Sequence, residues 1–325
     1  DPLWSRGLGD VYKRQVTAAL AITSCSQNEE FENPAQNAEI GFNTAVTRAT
    51  AMTTADFSKF KVYGYAHEGE FAVATKATSI VDGTYEKKEN VWSEMASQKF
   101  YWPSSDNVTF FAYSPVGETG TTYTAATTYP GYPTIAYTVN DIIASQSDFL
   151  VVQQTGDGTT NKSGIALGFK HALTQIAFKL KGADKDVNYS VTELALKGIK
   201  KSGTYDWKEN KWTADDITKN YTIDMSASAT TFVGDATATE LTGNDKVLML
   251  IPQVPTATID VKYIATKDGI QICDETKTVN IPTDEWGVGQ RIVFTIALTP
   301  GNEMTITGNV DNNDWTNKEP QPGDL

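Results

Sequence analysis

Residues 164 to 182 read GIALGFKHALTQIAFKLKG, and apolar side chains alternate with polar or small ones through most of the run. A period of two marks a strand with one face buried, because successive side chains point to opposite faces of a pleated sheet. The pattern recurs in VTFFAYSP (108–115), IDVKYIAT (259–266) and RIVFTIALT (291–299), all rich in Val, Ile, Thr, Phe and Tyr. Polar, glycine-bearing clusters such as GETGTT (117–122) and GDGTTNKSG (156–164) separate the runs at the spacing of antiparallel sandwiches. Long helical patterns are absent. The expected fold is all-β, built of antiparallel β-sandwiches.

At 325 residues the chain suits about two domains on the usual prior of roughly 100 to 200 residues each. The longest polar break, GDGTTNKSG, places the expected boundary near residue 162. It divides the body into an N-terminal sandwich (38–162) and a C-terminal one (163–315), followed by a polar, proline-bearing tail, TNKEPQPGDL (316–325). Net charge is -13 with pI near 4.7. Nucleic acids and anionic membrane surfaces both select a basic face, so neither is an expected partner.

Near the start, VTAALAITSCSQNEE (16–30) is a short apolar run that stops at one cysteine. Val16 to Thr23 is too short for a spanning helix, which needs roughly 20 residues, but it suits the apolar core of a secretory signal. Ile22-Thr23-Ser24-Cys25 resembles the bacterial lipobox, in which the cysteine is lipidated and becomes the first mature residue. Residues 1–24 therefore read as an extraneous start, DPLWSRGLGDVYKRQ, joined to a truncated lipoprotein signal, and 25–37 as a solvated tether. With lipid on Cys25, Cys273 has no disulfide partner, and stability must come from packing. The membrane is then a partner only through the lipid anchor.

Catalytic signatures are missing from the sequence. It has no G-x-S-x-G elbow, H-E-x-x-H helix or phosphate-cradling glycine loop. His67 and His171 stand far apart, and His171 lies in a strand-like run that suits a structural imidazole. Two distant cysteines make no zinc site, and DNND (311–314) lacks the glycine and distal glutamate of an EF-hand loop. No enzyme, metal or cofactor is expected. In YDWKENKWT, a two-residue turn at Glu209-Asn210 would set Trp207 across from Trp212, as packing at a hairpin tip or as a platform for carbohydrate.

Seven stretches in order resemble the fimbrillins of Bacteroidales pili, the Mfa-like group. Besides the lipobox at Cys25, they are YWPSSDNVTFFAYSP (101–115), DFLVV (148–152), FKHALTQIAFKL (169–180), GTYDW (203–207), VLMLIPQ (247–253) and WGVGQRIVFTI (286–296). The resemblance implies two transthyretin-like β-sandwiches in tandem, export as an outer-membrane lipoprotein, and assembly with other subunits into a surface pilus. It also implies maturation by an arginine-specific protease that cuts the loop after the first strand.

The residues supply parts for that scheme. In AEIGFNTAVTR, an extended chain places Ala38, Ile40, Phe42, Thr44 and Val46 on one side, so Ile40, Phe42 and Val46 form a candidate removable strand. Arg48, in polar TRATAMTT, is the candidate processing site. In EMTITGNV, Met304, Ile306, Gly308 and Val310 share that spacing and form a candidate donor strand for a neighbour. The expected function is a structural pilus subunit supporting adhesion to a host or bacterial surface ligand. The alternative is a surface-anchored carbohydrate-binding lipoprotein that uses Trp207 and Trp212.

Overall fold

A computed structural model of the chain describes residues 38–46, 57–74, 76–89, 91–126, 131–234 and 237–311. The apolar alternation becomes strand throughout, interrupted by two single-turn 3-10 segments, Phe71–Val73 and Ile143–Ser145. The all-β expectation holds.

The first sheet has seven strands: β1 (Phe42–Val46), β2 (Lys59–His67), β3 (Ala77–Lys88), β4 (Val91–Glu94), β5 (Asn107–Ser114), β8 (Leu150–Gly156) and β9 (Ile165–His171). Their order is β1-β9-β8-β5-β2-β3-β4. The sheet curls until its ends meet. Phe42 on β1 packs edge-on against Tyr85 on β3, with ring centroids 4.8 Å apart, and Phe57, Phe60, Phe110 and Phe169 fill the enclosed core. Because β5 is buried on both faces, its sequence NVTFFAYS is nearly continuously apolar.

A second, four-stranded sheet combines β6 (Thr122–Thr124) and β7 (Thr134–Thr138) with the hairpin β12 (Ser202–Asp206) and β13 (Lys211–Ala214), in the order β13-β12-β7-β6. It covers the outer face of the first sheet with Tyr137, Tyr205, Trp207 and Trp212 against Phe111, Tyr113 and Phe149.

Two further sheets close the rest of the core around Phe178, Leu194, Tyr263 and Phe294. One joins β10 (Thr174–Gly182), β16 (Thr239–Glu240), β20 (Arg291–Leu298) and β21 (Thr305–Val310) as β16-β10-β20-β21, with β17 (Leu248–Leu250) also on β10. The other joins β11 (Asn188–Lys200), β14 (Thr218–Asp224), β18 (Thr258–Lys267) and β19 (Ile270–Asn280) as β14-β11-β18-β19, with β15 (Thr230–Val233) also on β11. Most pairs are antiparallel; β1 on β9 and β10 on β20 are parallel.

The division at residue 162 is corrected by this topology. GDGTTNKSG is the loop of the β8–β9 hairpin, so residues 165–171 belong to the first sheet, and β7 pairs across the expected boundary with β12. Polarity made the loop look like a linker, but its side chains order it. The Asp157 carboxylate accepts from the N–H groups of Thr159 (2.7 Å) and Thr160 (2.9 Å), and Asn161 Oδ1 accepts from Asp157 N–H at 3.1 Å. An aspartate that closes its own turn in this way is a standard loop device.

Candidate functional site

The segment 38–46 is one strip of chain that seals two edges in succession. At its start Ile40 N–H donates to the Phe100 carbonyl at 2.8 Å, and Trp102 N–H donates to the Ala38 carbonyl at 3.0 Å. At Gly41 the strip changes partner: Ile165 N–H donates to the Gly41 carbonyl at 2.9 Å, and β1 then runs parallel to β9 in the register Phe42↔Ile165 to Val46↔Phe169. The crossover is tight. Gly164 has φ +107°, and a Cβ there would come within 3.3 Å of the Gly41 carbonyl group, so both its conformation and its surroundings select glycine.

Two side chains anchor the strip. Ile40 is 2 % exposed and Phe42 7 % exposed, and Phe42 makes edge contacts with Phe60, Tyr85 and Phe110. Burying each is worth roughly 1.5 to 3 kcal/mol. Thr44 faces the same way, and its Oγ1 accepts from the indole Nε1 of Trp92 on β4 at 2.9 Å. Thus β1 holds one end of the sheet by a ladder and meets the other end through side chains. For Val46 the backbone pairing is described and the side chain is not. Cys25 and Arg48 lie outside the described residues, Arg48 two positions beyond the end of β1.

The second candidate strand, β21, is also at a sheet edge, antiparallel to β20 in the register Ile296↔Ile306 and Ile292↔Val310. Its hold is shallow. Met304, just before it, is buried and Ile306 is half-buried, but Thr305, Thr307 and Asn309 are exposed and Val310 is 46 % exposed. Gly308 lies against the Phe294 ring so closely that an added Cβ would sit 2.8 Å from it.

The expected Trp207–Trp212 pair is corrected. The turn spans four residues, 207–210, so Tyr205 faces Trp212 and Asp206 faces Lys211. Asp206 Oδ1 accepts from Lys208 N–H at 2.7 Å, and Asn210 closes the loop at φ +50°. Tyr205 contacts both indoles, at 5.5 Å to Trp207 and 5.4 Å to Trp212. Each tryptophan is 5 % exposed, so the pair offers no stacking face to a sugar and belongs to the core.

The remaining polar candidates have structural partners. His171 Nδ1 and Asp148 Oδ2 are 2.6 Å apart in the interior, and His67 Nε2 meets Thr109 Oγ1 at 2.8 Å. Cys273 is half-buried on β19 and forms no disulfide, and burial pushes its thiol pKa up. Among the described residues, no group of three or more His, Cys, Asp or Glu could hold a metal. Two pairings of the site carried no sequence signal: that of the Phe100–Trp102 lip with 38–40, which spans about sixty residues, and that of Trp92 with Thr44, which meet only because the sheet curls.

A family model described as Fimbrillin-like matches residues 47–315. The chain is 30% identical over 210 residues to fimbrium subunit Fim1C of Phocaeicola vulgatus, an alignment covering 57% of this chain and 54% of that protein, so it spans about half the length of this curated relative. A fimbrial protein from Bacteroides vulgatus has a similar crystal structure, with TM-score 0.69 and 19% identity over 84% of this chain and 98% of that one. A candidate cell adhesion protein from Bacteroides ovatus aligns with TM-score 0.50 and 19% identity over 88% of this chain and 99% of that one. These last two likenesses are of fold.

Proposed function

This chain belongs to the fimbrillin-like family, and from that premise we propose that it is a structural, non-enzymatic subunit of an adhesive surface pilus, built by strand exchange. The precursor is tethered to the outer membrane through lipid on Cys25. In it, the strip 38–46 is a plug in the subunit's own groove, and an arginine-specific protease cuts after Arg48. The Met304 to Val310 segment of a neighbour then takes the plug's place.

One observation carries this reading: the strip is a terminal edge strand that buries two large apolar side chains, Ile40 and Phe42, and pairs in parallel with β9. Such a strand fills a groove that another strand of the same spacing can fill. Its exchange partner buries less of itself at home, since the side chains of β21 are mostly exposed on its own subunit. Transfer would move the already buried Met304 into the slot of Ile40, bury the half-exposed Ile306 in that of Phe42 and withdraw Val310 from water. While 38–46 stays joined to the body, it returns at the high effective concentration of a linked segment. Cutting at Arg48 removes that advantage, and the edge opens only when a donor is present, which avoids indiscriminate pairing.

The test is digestion of the lipid-free precursor with an arginine-specific protease, wild type against Arg48→Ala. Wild type should release a fragment ending at Arg48 and form ladders, and Arg48→Ala should remain monomeric. Polymerisation of uncut Arg48→Ala at the wild-type rate would overturn the proposal.

A further inference from the structure

Arg291 opens β20, and its guanidinium ties together all four strands in the β16-β10-β20-β21 order. Nε donates to Gln175 Oε1 on β10 at 2.8 Å, Nη2 to Glu240 Oε1 on β16 at 2.6 Å, and Nη1 to Asp311 Oδ2, just past the end of β21, at 2.6 Å. Arg291 is 9 % exposed, and the Asp311 side chain is one-quarter exposed. The Asp311 N–H also donates to the Arg291 carbonyl at 2.8 Å. At the other end of the strand, Met304 is buried; between these two fixed points the side chains of β21 are mostly exposed.

We infer that the Arg291–Asp311 pair is a latch that keeps the C-terminal strand on its own subunit until exchange. The inference rests on the reading of β21 as the donor strand. Three features suit a latch rather than a permanent brace. Asp311 lies at the extreme end of the strand, so its release lets the ladder peel from Val310 inward. When it leaves, Glu240 and Gln175 still compensate the guanidinium, so no bare charge is left buried, which is the costly outcome when an interior ion pair loses one member. Arg291 also lines an open cleft of about 590 Å³ with Gln175, Glu240 and Met249, through which water can reach the vacated Nη1.

The latch also sorts strands. A loosely held β21 would sample the solvent and pair with any open edge. A strand pinned at Asp311 and Met304 waits for a groove that repays both contacts. Glu240, on the far side of Arg291 from β21, offers a second carboxylate that keeps the guanidinium aimed along the sheet end whether β21 is seated or gone.

Amide hydrogen exchange in the full, uncut chain tests the latch without requiring assembly. Asp311→Asn preserves shape and removes the charge. It should accelerate exchange across residues 305–310 roughly tenfold, the scale of a hydrogen bond to a charged group, while β1 and the β10–β20 ladder keep their wild-type protection. Asp311→Glu should restore much of the protection. Unchanged exchange in β21, or acceleration spread over the whole β10–β20 ladder, would overturn the inference. The protease-triggered assembly rate is a separate arm. If Asp311→Asn loosens β21 and speeds assembly, both readings stand. If it loosens β21 and assembly is unchanged, the latch stands and β21 is not the donor.

Discussion

The indole of Trp92 donates to the hydroxyl of Thr44 at 2.9 Å, joining β4 to β1, the two opposite ends of a seven-stranded sheet. Backbone pairing does not close the curl here. Side chains do, through this hydrogen bond and the Phe42–Tyr85 contact beside it. One flank of the N-terminal strand is therefore a ladder, and the other is an interlock that a single substitution can open.

Thr44→Val keeps the shape of the strand and removes the acceptor. The loss should be about 1 kcal/mol, a usual net value for one hydrogen bond. It should appear as roughly fivefold faster amide exchange in β1 with little change in the unfolding midpoint, because the remaining sheet does not depend on the bond. Thr44→Ser should keep wild-type exchange. Equal rates in Thr44→Val and wild type would show that the interlock does not hold the strand.

Trp212→Phe tests whether that tryptophan serves the core. Its Nε1 donates to the Ala172 carbonyl at 2.6 Å, in the short connection between β9 and β10. Removing the donor leaves a buried carbonyl unpaired, at a cost of about 1 to 3 kcal/mol. For a chain of this size the melting midpoint should fall by about 1–2 °C per kcal/mol. Binding of the cells to glycan-coated surfaces should not change, and a selective loss of such binding with an unaltered midpoint would restore the platform reading.

How far the sequence reaches is clear from particular residues. The period of two placed Ile40 and Phe42 on the buried face of an extended strip, because side-chain alternation is a local property of strands. It could not assign a partner. β1 pairs with β9 more than a hundred residues away, and in parallel, which no local pattern encodes. The Trp207–Trp212 prediction failed by one turn type: a four-residue loop in place of two shifts the register so that Tyr205 takes the expected position of Trp207. At 156–164 the polar, glycine-rich composition marks a hairpin loop and a linker alike, and only the β8–β9 pairing separates them.

Glu275 on β19 gives a dependence on acid. Burial opposes its charge, but hydrogen bonds from Cys273, Tyr263, Lys277 and Gly301 outweigh it and hold the carboxyl down to about 2, against 4.5 when unperturbed. A carboxyl with a depressed folded-state pKa contributes stability in full above its unfolded value and loses it as pH falls through the folded one. The wild type should therefore lose stability between pH 4.5 and about 2. Glu275→Gln should show a flatter decline over that window, measured by urea midpoints at stepped pH, with the difference reduced by solvent screening. Parallel profiles for the two proteins would refute it.

Replacing Cys25 with Ser tests the anchor. Stable attachment takes more than one acyl chain, and a lipidated Cys25 would supply them at the end of the tether. The variant should move from the membrane fraction to the soluble fraction, and wild type should take up labelled fatty acid. Unchanged fractionation together with an unlabelled wild type would remove the lipoprotein step while leaving strand exchange intact.

Ile306→Asp separates donor from acceptor. Ile306 is only half-buried where β21 lies against β20, so the subunit should fold, keep its N-terminal plug and be cut after Arg48 at the normal rate. In a neighbour's groove the same side chain must enter an apolar slot like that of Phe42, where an unpaired carboxylate is strongly disfavoured. The cut variant should therefore fail to form ladders alone, yet its vacated groove should still accept the terminal segment of cut wild-type subunits, so that it caps one end of their ladders and shortens them as its proportion rises. Deleting residues 303–325 should also block growth, but it bares the β20 edge and risks unspecific pairing, so the point substitution is the cleaner probe. If either variant builds ladders as readily as wild type after cleavage, the segment from Met304 to Val310 is not the donor and the groove of β1 is filled by something else.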